Sequence, residues 1–417
     1  MSASGHEAAP PSTLKHFRAG THRTIAPEQT LERVRPLLPV FGITRIANVT
    51  GLDCIGIPVV MVCRPNARSL SVSQGKGLDL ASARASGVME SIELFHAERI
   101  NMPLKLASVD ELRFSHPLID VEALPRLSVS SFRHDLRLLW VQGFELLGGS
   151  PVWLPFELVH MCYTLPLPTG SGSFLMGSRG LASGNHPMEA VSHAICELVE
   201  HDATTRWRLR GEEARRQMRL DLSTVDDAAC RTVLQRYEDA GVDVAVWETT
   251  SEVGIASFLC EIEDREFNPA RPLGVSGGMG CHPSRQVALL RALSEAAQSR
   301  LTNIAGSRDD MHRGAHLDLH AQELLQRQRA SRQAELPTRR FGDAPSFESE
   351  TFEADVTWEL ERLRGAGIGQ VVVLELTRPE FRIPVVRVVI PGLEPLSDVP
   401  GYVPGARARR WLQEGGT

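Results

Sequence analysis

Three segments of this chain carry one pattern: a glycine-containing stretch, then Ala, six residues, Glu, two residues, and Glu or Gln. The copies are Ala83 with Glu90 and Glu93, Ala190 with Glu197 and Glu200, and Ala288 with Glu295 and Gln298. Self-similarity of this kind constrains the fold more than any local propensity, because whatever unit one copy forms, all three must form. Residues three or four apart share a helix face, so each copy presents two oxygen-bearing side chains together. The helices read SGVMESIELF, AVSHAICELVEH and VALLRALSEAAQ, with the glutamates set among apolar residues, which predicts burial. Buried carboxylates must be paired, protonated or metal-bound. Oxygen ligands without an obligatory Cys or His suit a hard cation such as Mg2+ rather than zinc. The glycine stretches and helix N-termini add backbone donors of the kind that hold phosphate.

These features predict a Mg-nucleotide site without a P-loop, since no GxxxxGK[ST] sequence and no HRD or DFG set occurs. A single Glu-x2-Glu pair also describes an ordinary solvated helix face. Three copies in matched contexts favour one shared site, with a duplicated fold that keeps its carboxylates to pair arginines as the alternative. Composition narrows the class further. Of 417 residues, 42% are apolar and 23% charged, enough to bury a large elaborated core or two lobes. Lys plus Arg total 45 against 51 Asp plus Glu, a net charge of −6 that lacks the basic excess of a general nucleic-acid binder. The longest apolar stretch, Ile57 to Cys63, is far below the roughly 18 residues that span a bilayer. The start, MSASGHEAAPPSTLK, has no basic region followed by an apolar one, so residues 1–14 read as a flexible tail rather than a signal peptide. Seven cysteines without a CxxC pair argue against a disulfide framework or zinc ribbon and for a reducing cytoplasm.

Along the chain, helices are expected at Pro27–Leu38, about Asp79–Ile100, from Pro187 to about Arg210, at Asp226–Ala240, from Pro283 onward and at Ala354–Arg364. Strands are expected at Ile57–Arg64, Ser69–Ser73, Val244–Thr249, Ile255–Ile262 and in the β-branched runs QVVVLELT and IPVVRVVIPGLE. Glycine-rich turns are expected at Gln74–Gly77, in GSGSFLMGSRGLASGN, and at Gly274–Gly280. Residues 308–347, rich in Arg, His, Gln and Asp, read as a mobile excursion.

With these residues in place, the chain resembles the YcaO family of ATP-dependent peptide backbone-modifying enzymes. The resemblance runs from about Lys15 to Gly401 and is carried by QGKGLDLASARASGVMESIELFHAE, GLASGNHPMEAVSHAICELVEHDA and EAAQSRLTNIAGSRDD. It implies an α+β fold of strand and helix units around a central Mg-ATP cavity, with the catalytic domain over 15–405 and a C-terminal tail over 406–417. It implies that ATP phosphorylates an amide oxygen after or as a nucleophile attacks the amide carbon, with Mg2+ bridging the phosphates. Glu90, Glu93, Glu197 and Glu200 take the metal-binding positions. Arg23, Thr30, Ser86, Glu90, His193, Glu197, Gln298 and Arg308 take nucleotide contacts, and Glu295, Gln298 and Arg300 the catalytic block. GTHRTIAPEQTLERV and GITRIANVTGLDCIGIPV are most similar to the subgroup associated with a TfuA partner, whose members form thioamides. Azoline-forming members commonly end in PxPxP, whereas this chain ends ARRWLQEGGT. The expected partners are thus a ribosomally made peptide or protein substrate, a TfuA-like protein, a separate leader-peptide-binding protein and a second copy of the chain. Neither a membrane nor nucleic acid is among them. The alternatives are an azoline-forming cyclodehydratase and a non-catalytic scaffold that presents the peptide.

Other signals carry less. Gly274-Val275-Ser276-Gly277-Gly278 fits the nucleophile-elbow pattern, but its serine is too far ahead of the expected helix start. His312, His316 and His320 are spaced for one helix face, yet Gly314 interrupts polar surroundings. Trp207 and Trp411 lie near arginines, where packing is favoured over nucleic-acid stacking. Cys196 and Cys281 read as small buried residues.

Overall fold

Short β-branched runs alternate with long Ala-rich ones, and each long run becomes a helix lying on a small antiparallel sheet. The computed structural model describes residues 13–266, 273–306 and 336–414. The first unit follows helix α1 (Pro27–Val34) and consists of β1 (Arg45–Asn48), β2 (Val59–Cys63), β3 (Val72–Lys76) and α2 (Leu80–Ala97). Its strands pair antiparallel in the order β1-β2-β3. The Asp79 carboxylate starts α2 by accepting the Ser82 N–H at 2.7 Å, which satisfies one of the orphan donors of a helix N-terminus.

After β4 (Leu104–Ala107), the short α3 (Val109–Leu112), β5 (Leu138–Glu145) and β6 (Ser150–Pro155) come β7 (Leu181–Ser183) and α4 (Pro187–Leu209). Next are α5 (Glu212–Arg216), β8 (Leu220–Asp221) and α6 (Ala228–Asp239), then β9 (Val242–Glu248), β10 (Ser257–Asp264), β11 (Ser276–Cys281) and α7 (Arg285–Ala305). Strands β9, β10 and β11 form the antiparallel sheet of the third unit. The second unit is built out of chain order. Its other strands, β13 (Val372–Glu375) and β14 (Val385–Val389), arrive late and place β14 beside β7, extending a six-stranded sheet β4-β5-β13-β14-β7 in which β6 pairs with β5 off this path. Strands β7 and β14 then stand to α4 as β3 and β2 stand to α2.

The glycine segments are strands rather than the expected turns at 74–77 and 274–280. A methyl on Gly75 would sit 2.1 Å from the Ala83 carbonyl oxygen and 2.2 Å from the Gly87 nitrogen. On Gly278 it would lie 2.2 Å from the Ala296 nitrogen, and on Gly280 2.0 Å from the Ala288 oxygen. Glycine lets backbone lie on backbone where strand and helix cross. Ser276, the serine of the elbow pattern, is buried within β11 opposite Ile262.

Two boundaries differ from expectation. Residues 406–414 are a docked helix, Ala406–Glu414, rather than a tail: Arg407 pairs with buried Asp202 at 2.9 Å and with Glu252 at 2.8 Å, and Trp411 is buried. From residue 336 the chain is again packed, because Arg339–Arg340 (β12) pairs with β8 and Phe341 is fully buried. His312, His316 and His320 lie outside the described residues. So do residues 1–12, but Thr13 is already fixed, its hydroxyl donating to Glu353 at 2.6 Å, and Lys15 forms a buried pair with Asp355 at 2.6 Å. No described helix is long and apolar enough to cross a membrane. Trp207 packs against Trp247, as its burial requires.

Candidate functional site

The three helices meet along the faces that carry the repeated carboxylates. The first repeated position in each copy takes an N–H from its own unit's strand segment. Gln74 donates to Glu90 at 3.4 Å, Gly180 to Glu197 at 3.0 Å and Met279 to Glu295 at 3.2 Å. The other interactions pass from unit to unit. Lys76, Ser183 and Cys281 are equivalent, each seven residues before the repeat's alanine. Glu93 on α2 accepts the Ser183 N–H at 2.8 Å and hydroxyl at 2.7 Å. Glu200 on α4 accepts the Cys281 N–H at 2.9 Å. Glu295 on α7 accepts Lys76 Nζ at 2.5 Å, which returns to the first unit and closes the ring. Gln298 supports the closure by donating to the Gln74 side chain at 3.3 Å.

The carboxylates respond to one another, as groups in a common low-dielectric site must. Burial raises Glu93 to about 8, with Glu90 and Glu197 adding repulsion against the Ser183 bonds. Burial likewise raises Glu197 to about 7 and Glu200 to about 8, with Glu295 contributing at both. Glu295 goes the other way: burial opposes its charge, but Lys76 and Arg291 outweigh that and hold it below the usual carboxylate range. Glu90, Glu93, Glu197 and Glu295 are nevertheless only half-buried, so solvent reaches them.

Basic residues lie among the carboxylates. Arg291, one helical turn before Glu295, lies among Glu200, Glu295 and Glu197 and reaches His193 Nδ1 at 3.4 Å. His193 is held far below the usual imidazole value, first by burial and then by Arg291, Arg23 and Lys76, so it is neutral. Arg23 lies 3.5 Å from buried Glu189 and close enough to Glu93 and Arg291 to feel both charges. Glu189 also fixes this N-terminal segment by accepting the Thr24 N–H at 3.0 Å.

Most of the sequence-derived set is therefore in one place: Glu90, Glu93, Glu197, Glu200, Glu295, Gln298, His193 and Arg23. Thr30 is buried at the rim, bonded to Asn185 beside the start of α4. Ser86 is exposed on α2, one turn ahead of Glu90. Arg300 is not brought to the carboxylates. It is 1% exposed and its guanidinium is taken up by Asp53 and Asp264, each at 2.8 Å, two positions further around α7 than Gln298. Arg308 lies outside the described residues. Sequence reasoning missed Lys76, Arg291 and Glu189; all three sat within quoted segments, and for the first two a one-turn or strand-end relation to a repeated glutamate was the available signal.

The donor set fits Mg2+ in kind, being oxygen only, with carboxyls that repel in the absence of a cation. Among the described residues, no three His, Cys, Asp or Glu side chains are gathered closely enough to enclose a metal by themselves. That suits an ion which keeps waters and shares phosphate oxygens rather than occupying an all-protein cage.

Comparison with known proteins agrees with this architecture. A family model described as YcaO cyclodehydratase, ATP- and Mg2+-binding, matches residues 74–394. An uncharacterised protein from the tfuA 3' region of Rhizobium leguminosarum bv. trifolii is 37% identical over 91% of this chain and 91% of its own length. A Methanothermobacter thermautotrophicus protein is 33% identical over 93% of this chain and 98% of its own. Among solved structures, YcaO from Methanopyrus kandleri bound with AMPPCP and Mg2+ superposes with a TM-score of 0.72 at 22% identity, covering 92% of this chain and 95% of that one. A heterocyclase in complex with substrate and cofactor gives a TM-score of 0.74 at 22% identity over 93% of this chain, which spans 54% of that heterocyclase chain. The repeated helices, the ring that joins them and the match across most of the sequence have one reading: this chain belongs to the YcaO family.

Proposed function

We propose that this protein uses ATP to activate a backbone amide of a ribosomally made peptide or protein, and that the product is a thioamide formed with a TfuA-like partner. The observation that carries the activation step is the closed ring in which Glu93, Glu200 and Glu295 each reach the next unit's strand end, gathering carboxylates and cations around one cleft. The relative from the tfuA 3' region supports the choice of partner and product.

An amide carbon is a weak electrophile and its oxygen a poor leaving group. In the proposed reaction sulfide adds to the carbon, the amide oxygen takes the terminal phosphoryl group of ATP with ADP departing, and the C–O bond then breaks. Phosphate leaves with that electron pair, a proton is lost and C=S remains. Glu90, Glu93, Glu197 and Glu200 would hold Mg2+, which supplies charge neutralisation for the transferring phosphoryl group. Lys76, Arg291 and Arg23 place fixed positive charge around His193, where it needs no reorganisation as negative charge develops. Neutral His193 offers a hydrogen bond without adding charge. The protein itself supplies no covalent nucleophile, and Cys196 and Cys281 are buried. The same reading includes a homodimer, which sedimentation of the purified chain tests.

The deciding experiment incubates a precursor peptide from the neighbouring genes with this protein, its partner, Mg-ATP and sulfide, followed by intact-mass analysis. A gain of about 16 Da is expected for oxygen exchanged for sulfur, whereas a loss of about 18 Da would assign cyclodehydration instead. No mass change together with no ATP consumption would favour a scaffold.

A further inference from the structure

Near Glu197 lies a group of buried hydrogen-bond donors that no acceptor satisfies. Arg387, on β14, is 4% exposed; its Nη2 donates to the Gly177 carbonyl at 2.6 Å, while Nε and Nη1 are buried without a partner. Arg179 converges on the same glycine, its guanidinium 3.8 to 3.9 Å from where a Cβ of Gly177 would stand. The only bond Arg179 makes through that guanidinium among the described residues is to the Leu175 carbonyl at 3.3 Å. His160 is buried and stacks on Phe156. Its Nδ1 accepts the Cys162 N–H at 3.3 Å, so the neutral ring carries its proton on Nε2, which is buried without an acceptor.

Neither arginine forms an ion pair among the described residues. Buried charge is normally paired, and a buried guanidinium that is not paired costs stability. Here a buried one, Arg387, stands beside the half-buried Arg179: burial and then the charge of Arg179 push Arg387 down to about 10, against the pull of Glu197 and Tyr163. Tyr163 is 42% exposed and lies close enough to both arginines to feel their charge. A planar guanidinium with free N–H groups is suited to oxyanions and other small anions.

We propose that Arg179, Arg387 and His160 form a subsite for a small inorganic anion, adjoining the carboxylate ring at Glu197 but separate from the nucleotide's own phosphates. The source of the anion rests on the reaction proposed above, which has two such species: the phosphate that leaves and the hydrosulfide that enters. Either would be held next to the reacting amide.

The test uses the full-length protein saturated with Mg2+ and AMPPCP, titrated with inorganic phosphate in a calorimeter and then with phosphate in competition with hydrosulfide. Phosphate is expected to bind, and Arg179→Gln and Arg387→Gln to weaken it by about tenfold or more through loss of charge-assisted hydrogen bonds. AMPPCP affinity should stay within about twofold in both variants, because the nucleotide does not use these donors. Competition by hydrosulfide assigns the subsite to the incoming nucleophile, and its absence assigns it to the leaving phosphate. The proposal is overturned if neither anion binds, if both variants bind phosphate like the wild type, or if AMPPCP affinity falls in parallel. Should Arg387→Gln fail to fold, Arg387→Lys and the half-buried Arg179→Gln carry the same comparison. ATP turnover with peptide, read in parallel, judges amide activation on its own: anion binding without turnover would sink that reading and leave the subsite standing.

Discussion

Glu93 and Glu197 hold protons near neutrality in the metal-free protein, so replacing either by glutamine changes the uncharged resting state little while removing a ligand. Glu93→Gln and Glu197→Gln should each lower ATP consumption by about 100-fold or more, with an unchanged far-UV spectrum and thermal midpoint. Near wild-type turnover in both would remove these residues from the site. Arg300→Ala should behave in the opposite way. It removes the cation that buried Asp53 pairs with and should cost about 3–5 kcal/mol in a denaturant titration, since breaking a buried pair strands its charge. A loss of turnover with full stability would return Arg300 to the chemistry. The contrast shows where sequence reading reaches its limit. Glu93 and Glu200 were legible because a repeat points them to one place. Arg300 shares its block with Glu295 and Gln298, but its direction depends on Asp53 and Asp264, which no spacing rule connects to it. Arg291 was passed over although it lies one turn from Glu295, because a lone arginine on a helix is ordinarily a surface residue.

Among the elements, the helices of all three units were foreseeable from their spacing, and the strands β2, β9 and β10 from their β-branched runs. The glycine segments were misread because turn and strand share the residue, and only the distance from Gly75 to the α2 backbone separates the two uses. Gly75→Ala should therefore destabilise by about 1–3 kcal/mol or more through overpacking of strand on helix, measured as a lowered urea midpoint. An unaffected midpoint would mean that β3 can shift away from α2. The C-terminal helix was read as a tail because Ala406–Glu414 is short and strongly charged. Its anchor is the pairing of Arg407 with buried Asp202, a contact invisible from sequence distance. Deleting residues 406–417 should lower stability by about 3–5 kcal/mol, since Asp202 then keeps its burial without its cation.

For the whole molecule, the raised carboxyls tie metal binding to pH. Glu93 and Glu200, at about 8, and Glu197, at about 7, must give up protons before they can hold a cation. Mg-nucleotide affinity should rise from pH 6 through pH 8 and level only above about pH 9, with proton uptake by the buffer visible when calorimetry is repeated in buffers of different ionisation enthalpy. Binding without proton release would place the ion on other ligands. In the metal-free protein these same groups bind more protons folded than unfolded between about pH 4.5 and pH 8, so their contribution to stability declines as pH rises through that interval. The out-of-order second unit has a consequence for synthesis. Strands β13 and β14 are needed beside β7 to seat α4, and α4 carries Glu197 and Glu200. A nascent chain on the ribosome can thus complete its first and third units and still lack half of the ring until the residues near 390 emerge. Ribosome-stalled chains ending before β14 should accordingly fail to retain nucleotide, and release of a few dozen more residues should switch retention on in a single step, so that no partly made enzyme consumes ATP.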